Sequence, residues 1–189
     1  MKITDRKSEI IAVSAKLFKE KGYSAVTMRD IAQAMDIKAA SLYNHIQSKQ
    51  EILVLIVIEI AEEFTNIMDE VLNSDASTQA KLERIIQLHI DITLRNPDAL
   101  ACLNNDWMHL TDDKLVQFIK MRKDYENNFK AIVKQGIANG EIKNYNLDVI
   151  IFSILSTLRT MYIWYNKTNA LSPKSLSDNM VKVLINGIV

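Results

Sequence analysis

TMRDIAQAMDIKAASLYNHIQSKQEIL, residues 27–53, is the stretch that decides the fold. Met28, Ile31, Ala32 and Met35 recur at i, i+3, i+4 and i+7, an apolar stripe at helical spacing. Thr27, with Asp30 three residues on, supplies a capped start. The result is a helix of about two turns. Asp36, Ile37 and Lys38 form a short connection, and Asp36 is one of the few non-glycine residue types that tolerate a left-handed backbone. A second helix follows from Ala39 to about Ile46, held inward by Leu42 and Ile46. Two short helices joined by a tight turn make a helix-turn-helix, whose second helix enters the major groove of DNA.

Helical geometry then selects the residues that face outward. With Leu42 in the core and about 100° per residue, Ala40 and Asn44 lie almost opposite it, flanked by Ser41 and Tyr43. Asn44 has the amide needed to pair with the N6 and N7 edge of adenine, and the methyl of Ala39 or Ala40 suits a thymine methyl. Tyr43, His45 and Lys49 carry a hydroxyl, an imidazole and an ammonium suited to phosphate oxygens, contacts that fix register without reading sequence. With Thr27 and Lys38 at the two helix starts, the expected DNA-contacting set is Thr27, Lys38, Ala39, Ala40, Ser41, Tyr43, Asn44, His45 and Lys49.

The run T-x-x-x-I-A-x-A-x-x-I-x-x-x-S-L-Y-x-H-I-x-S-K-x-x-I-L follows Ile10, Ile11, Leu17, Phe18, Gly22 and Tyr23. Together they resemble the DNA-binding head of the tetracycline-repressor (TetR/AcrR) family, over residues 7–53. The chain departs from the family pattern at Asp36 for the turn glycine, Lys38 for a serine, Ala40 for a glycine and Ile46 for a phenylalanine. Lys38 removes a capping hydroxyl from the second helix while adding a cation beside the phosphates. The resemblance implies a dimeric repressor that binds a pseudo-palindromic double-stranded DNA operator and is released by a small-molecule effector.

Composition agrees with an all-α chain of about nine helices. The 189 residues are 48% hydrophobic and 24% charged, and four Gly and two Pro leave few turns for a β-rich fold. Residues 1–50 hold nine Lys or Arg against five Asp or Glu; the remainder holds 14 against 18. A basic head and an acidic body suit contact with a polyanion at one end. The apolar runs Ile52–Ile58 and Val149–Tyr165 are interrupted by Glu59, Arg159 and several Ser and Thr, so no membrane span is expected. The N-terminus MKITDRKSEI has no apolar signal region and Cys102 is the single cysteine, both in keeping with a cytoplasmic protein.

Along the chain, helix 1 should run from about Asp5 to Lys21, with Ile10, Ile11, Leu17 and Phe18 inward and Gly22 as its stop. Lys2, Arg6 and Lys7 precede or begin it, as backbone contacts or as a solvated terminus. Ser48 and Glu51 form a capping box for helix 4, which makes ILVLIVI (52–58) helical in spite of its β-branched residues. From Lys49 to about Leu72 helix 4 would be roughly 36 Å long. NSDAST (73–78) is a polar break. The working division is a DNA-binding domain at 1–47 and a ligand-binding and dimerisation domain at 48–189, with helix 4 as connector.

Helix 5 spans about Gln79–Arg95, with Leu82, Ile85, Ile86 and His89 on one face. Asn96 and Pro97 open helix 6, which runs to about His109. Helix 7 spans about Asp112–Asn139, with an inward stripe of Leu115, Ile119, Arg122, Tyr125 or Glu126, Phe129 and Val133, and Gly136 near its end. Helix 8, about Leu147–Asn166, carries Ser153, Ser156, Thr157 and Thr160 as a band of small side chains and Phe152, Leu155, Arg159 and Tyr162 as a second stripe. Ser172 and Pro173 open helix 9, with Leu176, Met180, Val183 and Leu184 inward. The family resemblance implies a homodimer through helices 8 and 9; the sequence itself shows two apolar helices that suit core equally well.

Candidate ligand-binding residues are Trp107, His109, Arg122, Tyr125, Phe129, Arg159 and Tyr162, with Trp164 beside them: aromatics at helical spacing among polar handles. Arg159 is the only formal charge between Val149 and Tyr165, so it either meets a carboxylate such as Asp124, Glu126 or Asp178 or awaits an anionic ligand. The C-terminal segment, with FSILSTLRTMYIWYN followed by LSP and NGI, resembles a family subset that includes regulators of fatty-acid and steroid catabolism released by acyl-CoA thioesters. That resemblance implies an apolar tunnel for an acyl chain, with Arg159 or Arg122 toward the phosphates or thioester. Small hydrophobic compounds are the other class of effector considered.

Other functions find less support. The chain has no nucleophile elbow, glycine-rich phosphate loop, E-x-x-H or C-x-x-C pair, so no catalytic residue and no cofactor is assigned. His45, His89 and His109 are far apart in sequence and would meet Asp91 or Asp106 at a metal only through tertiary structure, so no metal is assigned. The alternative kept is a helical ligand-binding or protein-interaction module whose helix-turn-helix does not touch DNA.

Overall fold

The computed structural model describes residues 6–168 and 171–189; Lys2 and the expected start at Asp5 lie outside them. Among the described residues there are nine α-helices and no strands: α1 (Arg6–Lys21), α2 (Met28–Ala34), α3 (Ala39–Tyr43), α4 (Lys49–Leu72), α5 (Thr78–Arg95), α6 (Pro97–Asn105), α7 (Asp112–Ala138), α8 (Leu147–Thr168) and α9 (Pro173–Asn186). Short 3-10 turns cover Tyr23–Ala25 and Trp107–His109. The second of these ends α6 four residues before the expected His109 and leaves Trp107 outside it.

The helix starts follow their caps. The Thr27 hydroxyl accepts from the Asp30 N–H while the Asp30 carboxylate accepts from the Thr27 N–H, at 3.2 and 2.7 Å. At α4 the Ser48 hydroxyl accepts from the Glu51 N–H at 3.0 Å, and the Glu51 carboxylate reaches the Gln47 N–H at 2.8 Å. Ser77 caps α5, and Ser172 caps α9 with Pro173 at its first position. Lys38 stands at the N-cap of α3 with no side-chain cap bond. Asp36 takes φ 53°, the left-handed conformation the turn requires.

The chain forms two compact units. The first comprises residues 1–62 and 97–120, the second 63–96 and 121–189. In the first, α1 packs on α6 and on α2, and α2 on α3. Its core includes Ile10, Phe18, Val26, Ile31, Leu42, Ile46, Ile52 and Leu53, all essentially without solvent contact. The seven-residue α2 and five-residue α3 gain stability from this packing and not from their own length.

In the second unit α5 packs against both α8 and α9. Leu82, Ile85, Ile86, Phe129, Val133, Leu155, Leu158, Leu176 and Ile185 are buried there. Three expected faces turn out otherwise. Arg122 is exposed, because its long side chain runs along the surface of α7 to Glu126, one turn on. Phe152 is 72% and Val183 73% exposed. Both stand on helices whose apolar residues occupy more than one face, so spacing alone could not choose the buried one. By length and composition Leu147–Tyr165 is also apolar enough to cross a membrane, with 39% of it buried in this fold.

Gly136 shows how closely the second unit is packed. A Cβ placed there would overlap Thr78 Cγ2 and stand 2.9 Å from Ile142 Cδ1. Thr78 cannot swing aside cheaply: the Glu141 carboxylate holds its N–H at 2.8 Å and its hydroxyl at 3.2 Å. Gly136→Ala should therefore lower unfolding stability by about 1–2 kcal/mol, overpacking outweighing the ~1 kcal/mol that helix propensity favours for alanine. Urea denaturation measures this, and a gain in stability would contradict the packing.

Candidate nucleic-acid interface

The α2–turn–α3 segment presents a continuous exposed edge. Thr27, Lys38, Ala40, Ser41, Tyr43, Asn44 and His45 are all exposed, Ala39 is half-buried, and Leu42 and Ile46 anchor the segment from beneath. Tyr43, at 51% exposure, is a large aromatic ring held in water. α3 ends at Tyr43, three residues earlier than expected, so Asn44 occupies its C-cap and His45 lies in the following turn. The candidate base-reading amide thus sits at the end of the helix. An open concavity of about 440 Å³ borders the turn, lined by Arg29, Ala32, Gln33, Asp36, Ile37, Lys38 and Ala39.

Two of the expected contacts are already engaged. The Thr27 hydroxyl serves the cap, donating to Asp30 at 2.6 Å as well as accepting from it, and these bonds hold the Asp30 carboxyl below its ordinary range. The Lys49 ammonium donates to the carbonyls of Tyr23 and Val26, each at 2.8 Å, and lies 4.2 Å from the centre of the Tyr23 ring. It braces the connector that leads into α2.

Tyr23 is the centre of a cluster no spacing rule revealed. Its hydroxyl donates to Gln50 Oε1 at 2.8 Å, its ring meets Phe18 edge-on at 5.1 Å and stacks on His109 at 5.0 Å, and its N–H lies 3.5 Å from Asp106 Oδ1. Burial raises the Asp106 carboxyl above its usual range, and the nearby Cys102 thiol is pushed up to about 12, chiefly by burial and then by Asp106. A thiol so protonated is a poor nucleophile. The candidate ligand residues Trp107 and His109 belong to this unit, where Trp107 packs on Phe118 at 5.6 Å and His109 on Tyr23.

The remaining candidates lie in the second unit and fall into two neighbouring groups. Arg159 donates to Glu126 at 2.7 Å, and Arg122 approaches the same carboxylate at 3.6 Å. Of the partners weighed for Arg159, Glu126 lies at hydrogen-bond distance. Burial would raise the Glu126 carboxyl, but the two guanidinium groups outweigh it and hold the pKa down. Tyr125, next along α7, is buried, its hydroxyl 2.9 Å from His89 Nε2. Phe64 packs on His89 at 4.6 Å and on Tyr125 at 5.9 Å. Phe129 and Tyr162 are buried in the same unit. His89 was legible only as a polar residue on the apolar face of α5; its partnership with Tyr125, 36 residues away, was not.

Burial and then Arg159 depress the His89 pKa to about 3, so its ring is neutral and shares one proton link with Tyr125. An unfolded chain binds that proton near pH 6.5, the folded one only near pH 3, so acid favours unfolding throughout the interval. Stability should fall by about 2 kcal/mol between pH 7 and pH 5 from this group. Urea midpoints at pH 7, 6 and 5 test it: His89→Gln should flatten the slope, and an unchanged slope would contradict a neutral buried ring.

Comparison with known proteins agrees with this fold. Residues 10–56 match the family model described as bacterial regulatory proteins, tetR family, and residues 75–188 match the tetracyclin repressor-like C-terminal domain. The HTH-type transcriptional repressor KstR2 of Rhodococcus jostii strain RHA1 is 22% identical over 186 residues, covering 97% of this chain and 91% of that protein. The structure of the ketosteroid transcriptional regulator KstR2 of Mycobacterium tuberculosis superposes with a TM-score of 0.91 at 19% identity, over 100% of this chain and 97% of that one. AibR, crystallised with isovaleryl coenzyme A and operator DNA, superposes with a TM-score of 0.79 at 23% identity, over 95% of this chain and 97% of that one.

Proposed function

We propose that this chain, which belongs to the tetR family of bacterial regulatory proteins, is a transcriptional repressor that binds a pseudo-palindromic operator as a dimer and leaves it when a small ligand binds. The observation that carries this reading is the exposed edge from Lys38 to His45, with Leu42 and Ile46 buried beneath it. Within that edge Asn44 is the candidate reader of a base and Ala39 or Ala40 the candidate contact to a thymine methyl. Tyr43, His45 and Lys38 are assigned to the phosphates, and Ser41 faces the groove beside Asn44. Thr27 and Lys49 contribute by holding the ends of the connector that places α2.

The proposed functional division is by role and differs from the two compact units, the first of which also takes in the start of α4 and residues 97–120. Residues 1–47 form the DNA-binding domain and 48–189 the ligand-binding and dimerisation domain, with α4 the connector. Dimerisation is assigned to α8 and α9. Ser153, Thr157 and Thr160 are exposed, and the Thr157 and Thr160 hydroxyls donate to carbonyls of α8 itself, each at 2.9 Å. They leave a surface that a second helix can approach, with exposed Val149 and Phe152 on the same helix and Val183 on α9. A DNA partner supports reading the protein as cytoplasmic, with the apolar α8 serving the protein's own packing.

The effector is assigned to the second unit, among Arg122, Tyr125, Phe129, Arg159 and Tyr162. A neutral His89–Tyr125 pair among buried rings suits an uncharged acyl portion, and Arg122 with Arg159 suits an anionic end. Isovaleryl coenzyme A bound to AibR is a ligand of that build, which makes acyl-CoA thioesters the first class to test, with small hydrophobic compounds second.

Fluorescence anisotropy on DNA from the chain's own promoter provides the tests. Asn44→Ala should cost about 1–3 kcal/mol on the matched site and little on scrambled DNA, whereas Lys38→Ala should weaken both and reduce the salt slope by about one phosphate contact. Equal losses on both DNAs for Asn44→Ala would remove its reading role. Isovaleryl and longer acyl-CoA thioesters should release the wild-type protein and fail to release Arg159→Gln; release of both alike would discard the anionic-end assignment.

A further inference from the structure

We infer that Gln50 is a positioning residue for DNA recognition: by bonding Tyr23 and His109 at once, it lets the segment after α6 set the placement of the α2–α3 pair. The inference rests on the DNA-binding reading above.

Tyr23 lies four residues before the cap of α2, and every part of it is held. The hydroxyl ends on Gln50 Oε1 at 2.8 Å, the carbonyl on Lys49 at 2.8 Å, and the ring between Phe18, His109 and the Lys49 ammonium. Gln50 uses its other amide atom on a different segment: Nε2 donates to the His109 carbonyl at 3.1 Å and lies 3.5 Å from the Thr111 hydroxyl. One side chain at the start of α4 therefore joins residues 27 positions back to residues 59 positions ahead. An amide is the right group for the task, since it accepts on one side and donates on the other.

The joined segment is not a passive neighbour. Residues 106–111 link α6 to α7, and α7 continues into the second unit. A displacement of 106–111 carries the His109 carbonyl and ring, and through Gln50 and the stacked ring it shifts Tyr23. Thr27, Met28 and the exposed edge follow along the chain. Losing this link does not remove a single DNA contact; it loosens where those contacts stand relative to the core, and recognition that depends on alignment suffers before attraction that depends on charge.

The test uses the full chain, a duplex that the wild-type protein enriches from a random pool, and a scrambled duplex of the same composition. Gln50→Leu and Tyr23→Phe, each scaled to its folded fraction, should weaken the enriched duplex about five- to tenfold. Affinity for the scrambled duplex and the salt slope should stay unchanged. The double variant should be no weaker than the weaker single one, because both break one link. Gln50→Glu keeps an acceptor for Tyr23 but loses the donor to His109, so it should match Gln50→Leu. An unchanged ratio of enriched to scrambled affinity in Tyr23→Phe, or wild-type behaviour in Gln50→Glu, overturns the relay. A wild-type chain that enriches no sequence overturns the repressor reading itself, and the relay with it.

Discussion

A seven-residue helix and a five-residue helix cannot hold their shape in water by themselves, because nucleating a helix costs more than so few backbone bonds return. The proposed DNA-binding edge of this protein consists of just such a pair. Its geometry is therefore a loan from the residues beneath and behind it: Leu42 and Ile46 below, α1 and the start of α4 behind, and the Tyr23 cluster at the entrance. Outward side chains are free to be polar only because the inward ones are fully buried.

The same division of labour explains the polar groups inside. Lys49 loses water but regains two carbonyls and an aromatic face. His89 is kept neutral and faces a tyrosine hydroxyl. Arg159 meets Glu126, which a second arginine also approaches. Each of these three groups has a partner from another part of the chain, as low-dielectric surroundings demand. The partners also tie together segments that are distant in sequence.

What was legible in the sequence was local. Thr27 with Asp30, Ser48 with Glu51, and Ser172 with Pro173 announced helix starts that the structure reproduces, and Asp36 announced the turn. ILVLIVI was assigned to helix by its cap in spite of its β-branched residues, and is helical. Faces were harder wherever a helix is apolar on more than one side: Phe152, Val183 and Arg122 lie outward although their spacing suited an inward stripe. Partners across the fold were invisible. Nothing at Tyr23 pointed to Gln50 or His109, and nothing at His89 pointed to Tyr125, because such contacts depend on which helices meet, not on the residues along any one of them.

The central claim is that the edge from Lys38 to His45 docks in the major groove as one half of a two-fold pair. Hydroxyl-radical footprinting of the chain's own promoter tests it most directly. The account predicts two protected half-sites related by dyad symmetry, with centres about one helical turn or a multiple of it apart, and both lost in Asn44→Ala at matched concentration. A single unsymmetrical footprint, or uniform weak protection without sequence dependence, would contradict it.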